Sequence, residues 1–351
     1  IFLTSFYFHS RVLSSPHHPP FTHHAQGFTM TYHRPSKMKL IALEEHFLHA
    51  EVTAQLDLVD QALLSPTRVP GLDELGDARI KVMDEAGIAV QVLSHTKPGV
   101  QEISDIKLAT GLAVSANDYL AEAVAGHPDR FAGFATLATA APDQAVRELE
   151  RTVKQYGFKG AMINGHTQGE YLDQQRFWPI FEAAEALDVP IYLHPANPHP
   201  AVLEAYYKDY PVLGYAPWGY AVETGTHVLR LILSGVFDRF PGLKMVIGHM
   251  GELLPFALWR ADGRLTPKYP NLKKSVRNTF LDHFSITTSG VFSTPELLCT
   301  ASVVGFDNML FSVDYPFESN FEAVRWFDSL PIADSDRAKL AHLNAERLLK
   351  L

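Results

Sequence analysis

The chain has 351 residues and a formal net charge of −9; 46% of its residues are apolar and 20% charged, a globular mixture able to bury a large core. The acidic balance argues against a nucleic-acid partner, which calls for a basic face, and no stretch approaches the ~18 uninterrupted apolar residues of a membrane span. A single cysteine, Cys299, excludes an internal disulfide and fits a reducing, cytoplasmic compartment.

Residues 1–37 differ from the rest: they contain no Asp or Glu, hold six of the 17 histidines, and lack apolar periodicity. Three readings compete: a disordered or non-native extension, a transit-like segment, or a metal site at His17-His18 and His23-His24. Compositional bias and the start at Ile1 favour the extension. From Met38 onward, eight short apolar runs alternate with longer amphipathic stretches. The runs are 39–43, 90–94, 131–137, 160–164, 190–194, 244–249, 284–289 and 309–314, each nearly continuous, as strands buried on both faces should be. Between them lie helical patterns such as 177–187, where Phe177, Ile180, Phe181 and Ala184 recur at helical spacing. Without a GxGxxG or Walker-type loop, eight such units predict a single (β/α)₈ TIM barrel over 38–351 rather than a doubly wound sheet, with no organic cofactor. Two long connections, 47–77 and 196–222, follow the first and fifth strands and are expected to build a substrate pocket.

Barrel enzymes carry their chemistry at the C-terminal ends of the strands. Strand 1 leads into Glu44-Glu45-His46, and alternation puts Glu44 and His46 on one side and Glu45 on the other. Strand 5 ends at His194, strand 6 at His249 followed by Glu252, and strand 8 at Asp314. Each alone has a bland reading: a satisfied histidine, a solvated strand end, an Asp-Tyr-Pro turn. Together, Glu44, His46, His194 and Asp314 predict one divalent ion. Nitrogen and carboxylate donors suit Zn²⁺ or Mn²⁺, with Mg²⁺ a third candidate. Such an ion, with one arginine, also lets an acidic protein bind an anionic substrate.

These segments resemble the amidohydrolase-2 family, and within it the non-oxidative aromatic decarboxylases acting on γ-resorcylate, 2,3-dihydroxybenzoate and 5-carboxyvanillate. The resemblance rests on Ile41-Ala-Leu-Glu-Glu-His-Phe47, Asp129-Arg-Phe-Ala-Gly-Phe-Ala135 and Gly157-Phe-Lys-Gly-Ala-Met-Ile-Asn164. It continues through Tyr192-Leu-His-Pro195, Ile247-Gly-His-Met-Gly-Glu252, Ile286-Thr-Thr-Ser-Gly290 and Leu310-Phe-Ser-Val-Asp-Tyr-Pro-Phe-Glu318, and spans about 39–351. It implies that Glu44, His46, His194 and Asp314 hold the metal. It also implies that His249 is catalytic with Glu252 as its carboxylate partner, that Asp314 protonates the ring carbon, and that Arg260 reaches substrate across a subunit contact in a homodimer or homotetramer. The implied reaction releases CO₂ from a small ortho-hydroxyaryl acid, with the metal as Lewis acid and template. A hydrolase of a lactone or amide in the same superfamily is the alternative. One departure leaves the ring-substituent preference open: several relatives carry an arginine where this chain has Ala196.

Further candidates are less specific. Phe47, Phe292, Tyr315 and Phe317 are expected either to wall the substrate ring or to pack the core. His166 and His95 follow strands 4 and 2 and are candidate specificity residues. Glu223 and His227, four apart on a helix over 221–236, read as structural or intersubunit.

Overall fold

A computed structural model describes residues 38–351, so the reading of 1–37 as an extension lies outside the described residues. Nine strands follow in chain order: β1 (Ile41–Phe47), β2 (Val90–His95), β3 (Phe131–Gly133), β4 (Ala135–Thr136), β5 (Ala161–Asn164), β6 (Ile191–His194), β7 (Met245–Ile247), β8 (Phe284–Thr287) and β9 (Met309–Leu310). Every ladder is parallel, β1-β2-β3 in one sheet and β4 through β9 in the other. β3 and β4 are halves of one apolar run that changes partner at Phe134: its N–H donates to Leu93 O (2.9 Å), and the next, from Ala135, to Gly160 O (2.8 Å). The first and last strands meet at the mouth, where Asp314 N–H donates to Glu44 O (2.9 Å) and His46 N–H to Tyr315 O (2.6 Å). This is the strand order of the expected (β/α)₈ barrel.

The apolar residues divide into two layers, as strands buried on both faces require. Ile41, Leu43, Val92, Phe134, Met162, Tyr192, Val246 and Leu310 cluster together inside the strands, against Ala345 and Leu349 of the C-terminal helix. A larger cluster, including Leu40, Ala42, Leu149, Phe181, Leu231 and Phe280, joins the opposite strand faces to the surrounding helices. No helix among the described residues is long and apolar enough to cross a membrane.

One irregularity matters for function. Ile41 and Leu43 face the inner layer, so strict alternation would bring Glu45 inward and turn Glu44 out. A β-bulge between Ala42 and Glu45 resets the phase. Ser312 Oγ holds it by accepting both successive N–H groups, from Leu43 (3.2 Å) and Glu44 (2.6 Å). Glu44 and His46 thereby point into the mouth, and Glu45 points behind it.

Candidate metal centre and active site

Glu44, His46, His194 and Asp314 come together at the C-terminal mouth, one donor atom from each lying within 4.8 Å of the others. His194 Nε2 stands 3.2 Å from Glu44 Oε1, and His46 Nε2 stands 3.1 Å from Asp314 Oδ1. Glu44 Oε1 and His46 Nε2 are nevertheless buried without a hydrogen-bond partner. Orphaned polar atoms of this kind are expensive to bury unless a cation receives them. The donor set, two imidazole nitrogens and two carboxylates, fits one divalent ion.

The surroundings aim each donor. Nδ1 of His194 donates to Pro195 O (2.8 Å), which leaves the Nε2 lone pair for the ion. The other oxygen of Glu44, Oε2, accepts from the hydroxyls of Tyr192 and Ser289, with Thr287 Oγ1 at 3.4 Å. One oxygen is therefore fully occupied and the other is free to ligate. Gly248 permits this approach, since a Cβ there would stand 2.6 Å from Glu44 Oε2 and 2.9 Å from Ser289 Oγ. Burial would raise the Glu44 carboxyl, but His249, His194 and His46 together hold it well below its ordinary value.

His249 sits beside the cluster, its Nε2 3.5 Å from Asp314 Oδ2 and its Nδ1 2.8 Å from Glu252 Oε1. Burial disfavours the charged ring, yet Glu44, Glu252 and Asp314 outweigh it and raise His249 well above the usual histidine range. Asp314 is displaced the other way: His249 and His46 overcome burial and lower it. His249, Met250, Glu252, Leu253 and Asp314 all adopt left-handed φ, between 50° and 79°, so the strained backbone of this barrel is concentrated at its mouth.

A cavity of about 300 Å³ opens over His194, His249 and Asp314. Phe317 lines it, with its ring 5.7 Å from that of His46. The other predicted ring-wall residues lie elsewhere. Phe47 is fully buried in the core, Phe292 packs on Trp326 (5.9 Å), and Tyr315 lies under the Arg79 guanidinium at 4.9 Å. His166 lines a neighbouring cavity of about 510 Å³, where its Nδ1 accepts from Gly169 N–H (3.1 Å). Arg260 is exposed and away from the cavity of its own chain. Both nitrogens of His95 are occupied, by Thr96 O (2.8 Å) and His49 N–H (3.1 Å), and burial lowers it to about 4, which makes it a neutral structural residue. Glu223 accepts from the Tyr171 hydroxyl and His227 Nε2 from Leu172 N–H (3.0 Å), tying their helix to the loop after β5.

Sequence reasoning missed Glu45. Its Oε1 accepts from Val313 N–H (2.9 Å) and its Oε2 from Tyr315 N–H (3.3 Å), so it grips the backbone on both sides of Asp314. Gln91 Nε2 donates to the same carboxyl (3.2 Å) and Gln91 Oε1 accepts from Arg79 Nε (2.9 Å), while another Arg79 nitrogen donates to His46 O (2.7 Å). Burial pushes the Glu45 carboxyl up to about 8 against the lowering effect of Val313 N–H and Arg79.

Comparison with known proteins extends this geometry. The chain matches the amidohydrolase family over residues 18–351. It is 43% identical over 327 residues to a gamma-resorcylate decarboxylase of Polaromonas sp. (strain JS666), which covers 89% of this chain and 98% of the relative. A crystal structure of 2,6-dihydroxybenzoate decarboxylase complexed with 2,6-dihydroxybenzoate matches with a TM-score of 0.84 at 41% identity, over 90% of this chain and 100% of that one. The dihydroxybenzoic acid decarboxylase of Polaromonas sp. JS666, solved with manganese and the inhibitor 2-nitroresorcinol, gives 0.83 at 42%, over 90% and 97%. The chain therefore belongs to the amidohydrolase family. With its assembled donor set it is a metal-dependent, non-oxidative aromatic decarboxylase, a carbon–carbon lyase.

Proposed function

We propose that the substrate is an ortho-hydroxyaryl carboxylic acid of the dihydroxybenzoate kind and that Asp314 protonates its carboxyl-bearing ring carbon. The observation that carries this reading is the position of Asp314, with one oxygen facing the ligand cluster and the other 3.5 Å from His249 Nε2, under a cavity that Phe317 lines. The divalent ion supplies Lewis-acid polarisation and a template for the substrate oxygens. Manganese or zinc suits the donors, and a relative holds manganese.

Protonation of the ring carbon interrupts aromaticity. The electron pair of the C–C bond then returns to the ring as CO₂ leaves, giving the phenol. Asp314 is left as a carboxylate and regains its proton from His249, whose Nδ1 is fixed by Glu252. Phe317 packs against the substrate ring. Arg260 serves the site of a second copy in a homo-oligomer; in support, Phe256 (87%) and Trp259 (83%) on the same helix, Leu254–Leu265, are almost fully exposed. A cytoplasmic setting completes the proposal and rests on the single cysteine.

The test is turnover of a hydroxybenzoate panel by metal-loaded protein in D₂O, without oxygen or nicotinamide. The expected product carries deuterium at the carbon that held the carboxyl group. Solvent ¹⁸O in the product, with no CO₂ released, would replace this reading with hydrolysis.

A further inference from the structure

Lys97 is the feature of the active-site cavity that this mechanism leaves unused. It follows β2, at the start of the turn Lys97-Pro98-Gly99, and its half-buried side chain lines the cavity over Asp314, His194 and His249. Among the described residues its ammonium takes part in no ion pair and no hydrogen bond. The contact it makes is with the face of Tyr220, 4.8 Å from the ring centroid. Tyr220 is held in turn by its hydroxyl, which donates to Asn197 Oδ1 (3.0 Å).

An ammonium parked on an aromatic face is positioned but not neutralised, and its N–H donors remain available. Burial pushes Lys97 below the ordinary lysine value, against the more distant pull of Asp60, Asp314 and Glu102. A strongly hydrated point charge on a desolvating cavity wall gains most from an oxygen ligand that enters with the substrate. Arg68 also lines the cavity but is exposed at its edge, so Lys97 is the better placed lysine or arginine for a bound ring. Position 196 offers no alternative, because Ala196 is a small buried residue packed against Gly165.

We infer that Lys97 is a specificity-determining residue whose ammonium receives a second oxygen substituent of the substrate ring, one that the metal ligands do not hold. This rests on the decarboxylase reading and deepens it. The enzyme selects aryl acids bearing, besides the carboxylate and its ortho-hydroxyl, a further hydroxyl or carboxylate on the ring.

The experiment compares 2-hydroxybenzoate with the 2,3-, 2,4- and 2,6-dihydroxybenzoates on metal-loaded wild type, Lys97→Met and Lys97→Arg, measuring KM, kcat and, by calorimetry, Kd. Wild type should favour at least one dihydroxy acid over 2-hydroxybenzoate. Lys97→Met should raise KM and Kd for that acid about 10- to 100-fold, the range of a lost charge-assisted hydrogen bond, and change 2-hydroxybenzoate less than about 2-fold. Lys97→Arg should restore part of the preference. An equal loss on all four acids, or no change on any, overturns the assignment. If wild type turns over none of the acids, the decarboxylase reading fails by itself, and the same comparison of Kd values still decides the role of Lys97.

Discussion

Glu44 and Glu45 are adjacent on β1 and both fully buried, yet they serve opposite sides of the barrel wall. Glu44 faces three histidines and is held well below the ordinary carboxyl value; Glu45 faces Arg79 through Gln91 and rises to about 8. Burial acts on both in the same direction, so the neighbouring charges decide the difference. Their tasks differ accordingly. Glu44 offers a free oxygen to the ion, whereas Glu45 holds the main chain on both sides of Asp314. A metal centre here needs a ligand in front of the strand and a backbone anchor behind it, and a single bulge supplies both.

The largest effects should come from the front. Glu44→Gln and Asp314→Asn keep side-chain shape and remove charge, so each should lower kcat more than about 10³-fold while the circular dichroism spectrum stays that of wild type. Glu44→Gln should also lower the bound metal per chain, measured by elemental analysis. Near-normal turnover by Asp314→Asn would remove it as the proton donor. From the rear, Glu45→Ala leaves Gln91 Nε2 and the N–H groups of Val313 and Tyr315 without their buried acceptor. Its expected cost is about 1–3 kcal/mol for each buried donor left unpaired, read from urea unfolding of the chelator-treated protein. Metal should still bind the folded variant. An unchanged unfolding midpoint, or metal loss as complete as in Glu44→Gln, would collapse the distinction between front and rear.

The barrel and the four donors were legible because their signals are local. Buried parallel strands are continuous apolar runs, and the polar residue ending each run marks the mouth. All eight predicted runs contain observed strands, the third of them split at Phe134. The bulge was not legible, since it depends on Ser312, 268 positions from Glu44, accepting two N–H groups at once. The anchoring role of Glu45 was not legible either, because its partners Gln91, Val313 and Tyr315 lie on two distant segments. Phe292 and His166 sit near the right strand ends, but side-chain direction after a strand end has no period to read. Lys97 carried no motif at all. Its placement follows from a turn and from Tyr220 in the long connection after β6.

The smallest effect tests the same pair through pH. In the metal-free protein Glu45 keeps a proton up to about 8, whereas an unfolded chain releases it near 4.5. Between those values the folded state binds more protons, so the Glu45 contribution to stability is full below 4.5 and is lost as pH rises towards 8. Glu44 works with the opposite sign: its folded value is depressed, so its contribution is present above the ordinary carboxyl range and is lost on acidification. Urea midpoints of chelator-treated protein across this range should therefore fall towards alkaline pH in wild type and fall less steeply in Glu45→Gln. Glu44→Gln should instead flatten the acid side. If Glu45→Gln keeps the wild-type alkaline slope, the N–H donors of Val313, Tyr315 and Gln91 hold Glu45 ionised throughout. The rear anchor would then be a true anion opposite Arg79, and burial would have lost to hydrogen bonding on both faces of the strand.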